Sequence, residues 1–257
     1  MKQIFKFNLV VVVIALVFVG CKSKEKKEEP ATTNTDTTAK TTPMTDNKQN
    51  MDAVTVAPNL YKVVADTLGI RMVEVNYKPG DSSAMHWHPD YAVYAIEGGT
   101  ATFYAKDGSK MDNTMKAGMV MVKPGEWHSV KNNGKTNIHV ILVEVNRTGA
   151  ITPPDPKMDA TKVAKGLYKS VADTLGIRVL EINYKPGQQS AMHTHSDAAF
   201  YAIDDGTAEF TGSDGKKQVM QLKKGMAMIT PAVTHSVKNV GKTTMKGILV
   251  EVNRAMK

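Results

Sequence analysis

The sequence contains a single cysteine, Cys21, in 257 residues. That count excludes a disulfide framework within the chain, a Cys-rich zinc cluster and a thiol–disulfide redox pair. Aromatic residues are sparse as well, at 6 %, and the net charge of +8 is carried by scattered Lys residues with no dense Arg tract. The basic surface with interleaved stacking rings that nucleic-acid recognition requires is missing, so no nucleic-acid partner is expected. With 42 % hydrophobic residues, 23 % charged residues and a mean hydropathy of -0.28, most of the chain reads as globular protein and not as a multi-spanning membrane chain.

The exception opens the chain. Lys2 and Lys6 precede an unbroken apolar run from Leu9 to Gly20 that ends at Cys21. A bilayer-spanning helix needs about 20 apolar residues, so this shorter run has the size of a signal-peptide core. Val17-Phe18-Val19-Gly20-Cys21 resembles a bacterial lipobox, with Phe18 standing where Leu is usual. The resemblance implies that residues 1–20 are a cleaved signal peptide and that Cys21 carries lipid. The partner would then be a membrane reached through a lipid anchor, and the location the bacterial cell envelope, whether periplasmic or surface-facing. Acyl chains contribute about 0.8 kcal/mol per buried CH₂, enough for a firm tether when two or three are present. Residues 21–53 are rich in Lys, Glu, Thr and Asn with almost no large apolar side chain, the composition of a flexible polar linker.

The remainder is one unit written twice. Leu60-Tyr61-Lys62 recurs as Leu167-Tyr168-Lys169, and Val143 to Arg147 recurs as Val250 to Arg254, always 107 positions on. Residues 60–147 align with 167–254 without a gap, with 54 identities in 88 positions. A repeat of this length is too long for a solenoid unit and suits a complete small domain. The expected domains are therefore 54–147 and 161–257, joined by a linker at 148–160 that holds Pro153-Pro154-Asp155-Pro156. In the first copy Tyr61–Ala65, Ile70–Tyr77, Tyr91–Ile96, Thr100–Ala105 and Ile138–Asn146 carry strand-type residues. They alternate with turns at Lys78-Pro79-Gly80, Lys106-Asp107-Gly108, Pro124-Gly125-Glu126 and Asn133-Gly134. No helical stripe intervenes, and the expected fold class is all-β, one barrel or sandwich per copy.

Six of the seven His fall at matched positions: His86, His88 and His128, then His193, His195 and His235. Alternate strand residues share a face, so His86 and His88 can offer two imidazoles to one point while Trp87 turns away. His128 follows a Pro-Gly turn 40 residues later and can complete a three-nitrogen set across the sheet. Neutral imidazoles suit Fe, Zn, Cu and Ni. Trp87 and Trp127 both become Thr in the second copy, as Thr194 and Thr234. The paired change suggests that the indoles touch or line one rim.

Gly80, His86, His88 and Gly99, followed by Gly118, Pro124, His128 and Asn132, resemble the two-part signature of the cupin family. The second copy repeats it at Gly187, His193, His195, Gly206, Gly225, Pro231, His235 and Asn239. The resemblance covers both copies and implies a bicupin, two tandem jelly-roll-like β-barrels each holding a divalent metal. Fe(II) is favoured, with Zn, Mn, Ni or Cu as alternatives. The family's fourth ligand, a Glu, is replaced by Ala92 and Ala199, and the Pro124 to His128 spacing is one residue shorter than the commonest form. Asp90 and Asp197 are candidate substitutes for that carboxylate. Tyr94 and Tyr201 share the strand parity of the two alanines and are candidate hydroxyl donors or acids in the pocket. Three neutral ligands leave an ion its full charge and favour an anionic, bidentate small molecule. Two functions are compatible with such a site. One is a cupin-type Fe(II) dioxygenase acting on a small chelating organic acid or dicarbonyl. The other is a non-enzymatic protein that binds a carbohydrate, an organic acid or a metal. A homodimer is compatible with either.

Overall fold

In the computed structural model, residues 51–151 and 155–256 are described. The expected signal peptide, Cys21, the linker up to residue 50 and the Pro153-Pro154 joint lie outside the described residues. Side chains that alternate between core and solvent define most of the strands. In the first copy these are β1 Tyr61–Thr67, β2 Ile70–Tyr77, β3 His86–His88, β4 Asp90–Glu97, β5 Thr100–Tyr104, β6 Lys110–Thr114, β7 Val120–Lys123, β8 Glu126–Asn132 and β9 Ile138–Val145. The second copy repeats them as β10 Tyr168–Thr174, β11 Ile177–Tyr184, β12 His193–His195, β13 Ala198–Ala202, β14 Gly206–Gly212, β15 Lys217–Leu222, β16 Ala227–Thr230, β17 Val233–Asn239 and β18 Met245–Val252.

Each copy stacks a five-stranded sheet on a four-stranded one, in the orders β1-β2-β9-β4-β7 and β3-β8-β5-β6, and the second copy matches strand for strand. The fold class is all-β, two tandem barrel-like sandwiches. Two strands, β6 and β7, fall where none was expected, and a third starts inside an expected turn. Four of five residues in β6 are exposed, so this edge strand has no apolar alternation to betray it. β7 is only four residues long and uniformly half-buried. β8 begins at Glu126, a residue that the Pro-Gly pattern assigns to a turn.

Two single-turn helices also appear, α1 Ala53–Val56 and α2 Ala160–Val163, capped by the side chains of Asp52 and Asp159. Asp52 also accepts from Arg71 Nη2 at 2.6 Å, and Met51 O accepts from Trp87 N at 2.7 Å. Residues 51–53 therefore belong to the first barrel and not to the leader linker. Asp159 and Ala160, placed in the joint by the sequence, belong to the second barrel in the same way: Arg178 Nη1 donates to Asp159 at 2.7 Å.

Each five-stranded sheet is covered twice. Its inner face closes the barrel core, with Val73, Val75, Val93, Val140 and Leu142 buried in the first copy. Its outer face packs on the other copy, where Met72, Ala92, Ile141 and Val143 meet Val179, Ala199, Ile248 and Val250. Burial on both faces explains why β9 and β18 are apolar almost throughout.

The joint between the copies is reciprocal. Arg147 Nη2 donates to Asp197 at 2.7 Å, and Arg254 Nη2 donates to Asp90 at 2.7 Å. Each Arg also donates from Nη1 to the other's carbonyl. Such a pattern is the intrachain counterpart of a two-fold dimer contact. Arg147 is steadied by the β1–β2 hairpin, whose two loop residues Leu68 and Gly69 both have positive φ, at 54° and 63°. That is the twist of a type I′ turn, and it aims Leu68 O at Arg147 Nε, 2.6 Å away.

Candidate metal centres

β3 lies antiparallel to β8 with His86 opposite His128 and Trp87 opposite Trp127. The three imidazoles of the first copy thereby face one point inside the barrel. Their ring centroids are 4.8, 4.8 and 5.1 Å apart, and His86, His88 and His128 are all buried. The backs of the rings are occupied. His86 Nδ1 donates to Ala84 O at 2.8 Å, and His88 Nδ1 to Glu144 Oε1 at 2.6 Å. His128 Nδ1 lies 3.3 Å from Glu126 Oε1. Carbonyl and carboxylate oxygens only accept, so the proton sits on Nδ1 and the Nε2 lone pairs turn to the centre. Tyr61 OH lies 3.2 Å from His86 Nε2 and 2.9 Å from Tyr77 OH.

The second copy repeats the core of this arrangement. Centroids of His193, His195 and His235 are 4.7, 4.9 and 5.4 Å apart. His193 Nδ1 donates to Ala191 O at 2.8 Å, and His195 Nδ1 to Glu251 Oε1 at 2.6 Å. Val233 stands where the first copy has Glu126, so His235 has no such carboxylate behind it.

Burial favours the neutral form of four of the rings. Burial, reinforced by the neighbouring imidazoles, lowers His86 to about 3. Burial likewise lowers His193 to about 4 and His235 to about 3. Burial lowers His128 also, against the pull of Glu126. Burial alone would raise Glu126, but hydrogen bonds with His128 and Tyr91 overcome it and bring the carboxyl down to about 2. A neutral imidazole at every pH of interest is the form that binds metal.

A divalent ion fits this donor set. In each copy one nitrogen per ring lies within 4.8 Å of the other two. A point between them is less than about 3 Å from each, against about 2.1 Å for a zinc–imidazole bond, so small ring movements close the set. In the second copy His235 Nε2 is buried with no hydrogen-bond partner, an orphan that an ion would satisfy.

The carboxylate and tyrosine candidates are placed elsewhere. Asp90 accepts from Gly125 N and Arg254, and Asp197 from Ala232 N and Arg147. Both clamp the joint between the copies and face away from the histidines. Tyr94 and Tyr201 pack in the apolar layer between the copies, not in the pockets. The reason is shared: after His88 the chain passes Pro89 and crosses from the four-stranded to the five-stranded sheet, so the parity set by His86 and His88 does not carry over. Ala92 and Ala199 lie in the same outer layer. Along β4 the cavity-lining residues are Tyr91 and Val93, and in β13 they are Ala198 and Phe200. No carboxylate occupies any of these positions.

Spacing and strand parity do not find the outer carboxylates. Glu144 and Glu251 are almost fully buried, at 0 % and 1 % exposure, each behind a histidine. Glu144 also accepts from Arg71 Nε at 2.6 Å. A lone acid repeated inside Val143-Glu144-Val145 and Val250-Glu251-Val252 was the available signal, because an unpaired buried charge is too costly to persist. Tyr91 OH donates to Glu126 Oε1 at 2.6 Å, a pair that the turn assignment of Glu126 concealed.

The indoles do touch, with Trp87 and Trp127 centroids 5.5 Å apart. Lys106 Nζ sits 3.7 Å over the Trp127 ring, which lines the cavity rim. In the second copy Thr194 and Thr234 share a 2.8 Å hydroxyl hydrogen bond.

Comparison with known proteins bears on the whole arrangement. The cupin domain family matches residues 73–144 and 180–251. A germin-like protein, subfamily 2 member 2, of Arabidopsis thaliana is 34 % identical over 96 residues, 35 % of this chain and 44 % of its own length. The match thus spans less than half of that relative. Among solved structures, single-substitution variants of Bacillus subtilis oxalate decarboxylase superpose with TM-scores of 0.55 and 0.54 at 15 % identity, covering 74 % of this chain and 70 % of theirs. A further structure, concerned with the Mn(II) centres of that enzyme, gives 0.52 over the same coverage at 15 % identity. At this identity the likeness is one of fold.

Proposed function

The chain belongs to the cupin family, and from that premise we propose that it is a metal-dependent bicupin enzyme of the cell envelope. In this reading it acts on a small chelating organic acid or dicarbonyl, in the manner of an Fe(II) dioxygenase. The observation that carries the reading is the pair of three-histidine sets, buried but for the half-buried His235, whose ring nitrogens converge beside cavities of about 500 and 400 Å³. When bound, iron would supply a redox-active Lewis acid there, and Mn(II) would supply the Lewis acid with less ready redox chemistry.

The chain's own residues do the rest. Ala84 O, Glu144 and Glu126 fix the tautomer and tilt of the first trio, and Ala191 O and Glu251 do so for two rings of the second. The inner donors are uncharged, so an anionic ligand is drawn to each centre. Val75, Val93, Val140 and Leu142 line the first cavity and exclude water from the reacting end. Tyr91 and Glu126 offer a hydroxyl and a carboxylate beside His128, while half-exposed Lys123 adds positive charge near the same place.

Elemental analysis of anaerobically purified protein tests the reading. About two equivalents of metal are expected, falling to about one after His86→Ala with His88→Ala. Oxygen uptake with a panel of dicarbonyls and hydroxy acids then separates enzyme from binder. Metal without turnover would favour the second reading, a binding protein, for which the acid-free second cavity is the supporting observation. Metal content below one-tenth of an equivalent would sink the enzyme reading and leave only a metal-free binding protein.

The membrane tether at Cys21 is a further part of the proposal, supported by the Leu9 to Gly20 run behind Lys2 and Lys6. Cys21→Ser should move the protein from the membrane fraction to the soluble one.

A further inference from the structure

The two cavities share a backbone and three imidazoles but differ in what lines them. Around the first centre stand Tyr91, Asn113, Lys123 and Glu126. The positions 107 residues on are Ala198, Met220, Thr230 and Val233, and all four line the second cavity. The carboxylate, the amide and the Lys123 charge are gone; Lys110 also lines the first cavity, while Gln218 and Lys246 are the polar side chains gained by the second. Most of the remaining second wall is apolar, with Phe200, Phe210, Leu222, Met228, Val237 and Leu249.

Polar satisfaction differs as well. In the first copy Tyr77 OH is paired with Tyr61 OH at 2.9 Å. In the second, Tyr184 is fully buried and lines the cavity with its hydroxyl beside Tyr168 and Ser190, and His235 Nε2 on the same wall is buried with no hydrogen-bond partner. A buried unpaired polar atom in a largely apolar cavity marks where a polar group of a ligand belongs.

We infer that the second cavity binds an amphiphilic carboxylate, its head at the histidine centre and Tyr184 and its hydrocarbon body against the Phe, Met and Leu wall, while the first cavity takes a smaller polar acid. The inference rests on the reading that the three histidines hold an ion. A carboxylate supplies the charge that three neutral ligands leave unbalanced. An alkyl or aryl body of up to about eight carbons gains from leaving water roughly in proportion to its area. The first cavity rejects that body because the Glu126 carboxylate and Tyr91 hydroxyl would lose solvation against it.

Calorimetric titration of the zinc-loaded full chain with the sodium salts of acetate, butyrate, hexanoate and octanoate tests this. Affinity should rise at least tenfold from acetate to octanoate, with about one octanoate per chain. Val233→Glu should lower octanoate affinity at least tenfold, and the milder Val233→Thr threefold or more, which covers the case in which the glutamate variant does not fold. Equal affinity along the series, or octanoate binding unchanged in Val233→Thr, would overturn the inference. Zinc content of the same samples keeps the two readings apart. Two zinc ions without chain-length dependence defeats the amphiphile alone. No zinc defeats the metal reading, and octanoate titrated into that metal-free protein then decides the cavity: tenfold preference over acetate upholds the apolar wall and its absence rejects it.

Discussion

Near their histidines the two halves are superimposable in plan and unequal in support. In the first, Glu144 holds His88 and accepts from Arg71 at 2.6 Å. In the second, Glu251 holds His195 at the same 2.6 Å, but Arg178 reaches it only at 3.5 Å and turns to Asp159 at 2.7 Å. The first centre is thus backed by a tight ion pair and by a second carboxylate, Glu126. The second is backed by one carboxylate and an apolar wall. The six histidines stayed matched between the copies while their surroundings diverged, so the imidazole sets and the walls around them vary independently on this scaffold.

The sharpest way to break the comparison is to remove the buried acids. Glu144→Ala strips the buried His88 Nδ1–H of its acceptor and Arg71 of one of its two carboxylates, Asp52 remaining at 2.6 Å, and should cost about 3 kcal/mol. Glu251→Ala should cost less, because each Arg keeps its Asp partner but Arg178 reaches Glu251 only at 3.5 Å and so loses less than Arg71 does. Chemical denaturation reads the difference, and equal losses would show that the 2.6 and 3.5 Å contacts are not energetically distinct. Metal affinity should fall roughly 10- to 100-fold at the affected site in each case.

Next in size is the joint. Asp90→Ala and Asp197→Ala each remove a hydrogen bond to a buried or half-buried Arg, worth about 1.5–3 kcal/mol. The reciprocal geometry predicts matching losses, measurable as equal shifts in unfolding midpoint; a twofold disparity in free energy would show that the two clamps are not equivalent.

A smaller effect belongs to the rim. A double-mutant cycle on Trp87→Thr and Trp127→Thr should return a coupling of about 0.5–1.5 kcal/mol beyond lost area. A coupling near zero would mean that the indoles lie together without attraction.

The smallest effect is one of pH. Burial would raise Asp159, but hydrogen bonds from Arg178 and Thr161 prevail and lower it to about 2. A folded value below the unfolded one, about 3.9, contributes stability above about pH 4 that is lost as pH falls toward about 2. Wild type should therefore melt above Asp159→Asn at pH 6, with the gap shrinking steadily between pH 4 and pH 2. A gap that persists at pH 2 would assign Asp159 a role independent of its charge.

Much of the fold was legible because the repeat is exact in register. An offset of 107 with no gap, together with His86, His88 and His128 and their partners, indicated two similar β domains with one three-imidazole set each. The strands with alternating burial, such as β2, were legible for the same reason. β6 was not, since its side chains meet solvent and carry no period. Tyr94, Tyr201, Asp90 and Asp197 were misplaced because parity along a strand is a local rule, and the crossing at Pro89 ends its reach. Glu126 was hidden by its neighbours Pro124 and Gly125, which mark a turn whether or not a strand begins at once.

The order of amino acids was enough to establish two similar β domains and six histidines paired in position across them. Only the tertiary structure decided which side chains face the two cavities and which face the joint. Inside and outside are set by how sheets twist and cross. Contacts such as Glu144 with His88, or Arg254 with Asp90, join residues 56 and 164 positions apart, and no local pattern encodes them.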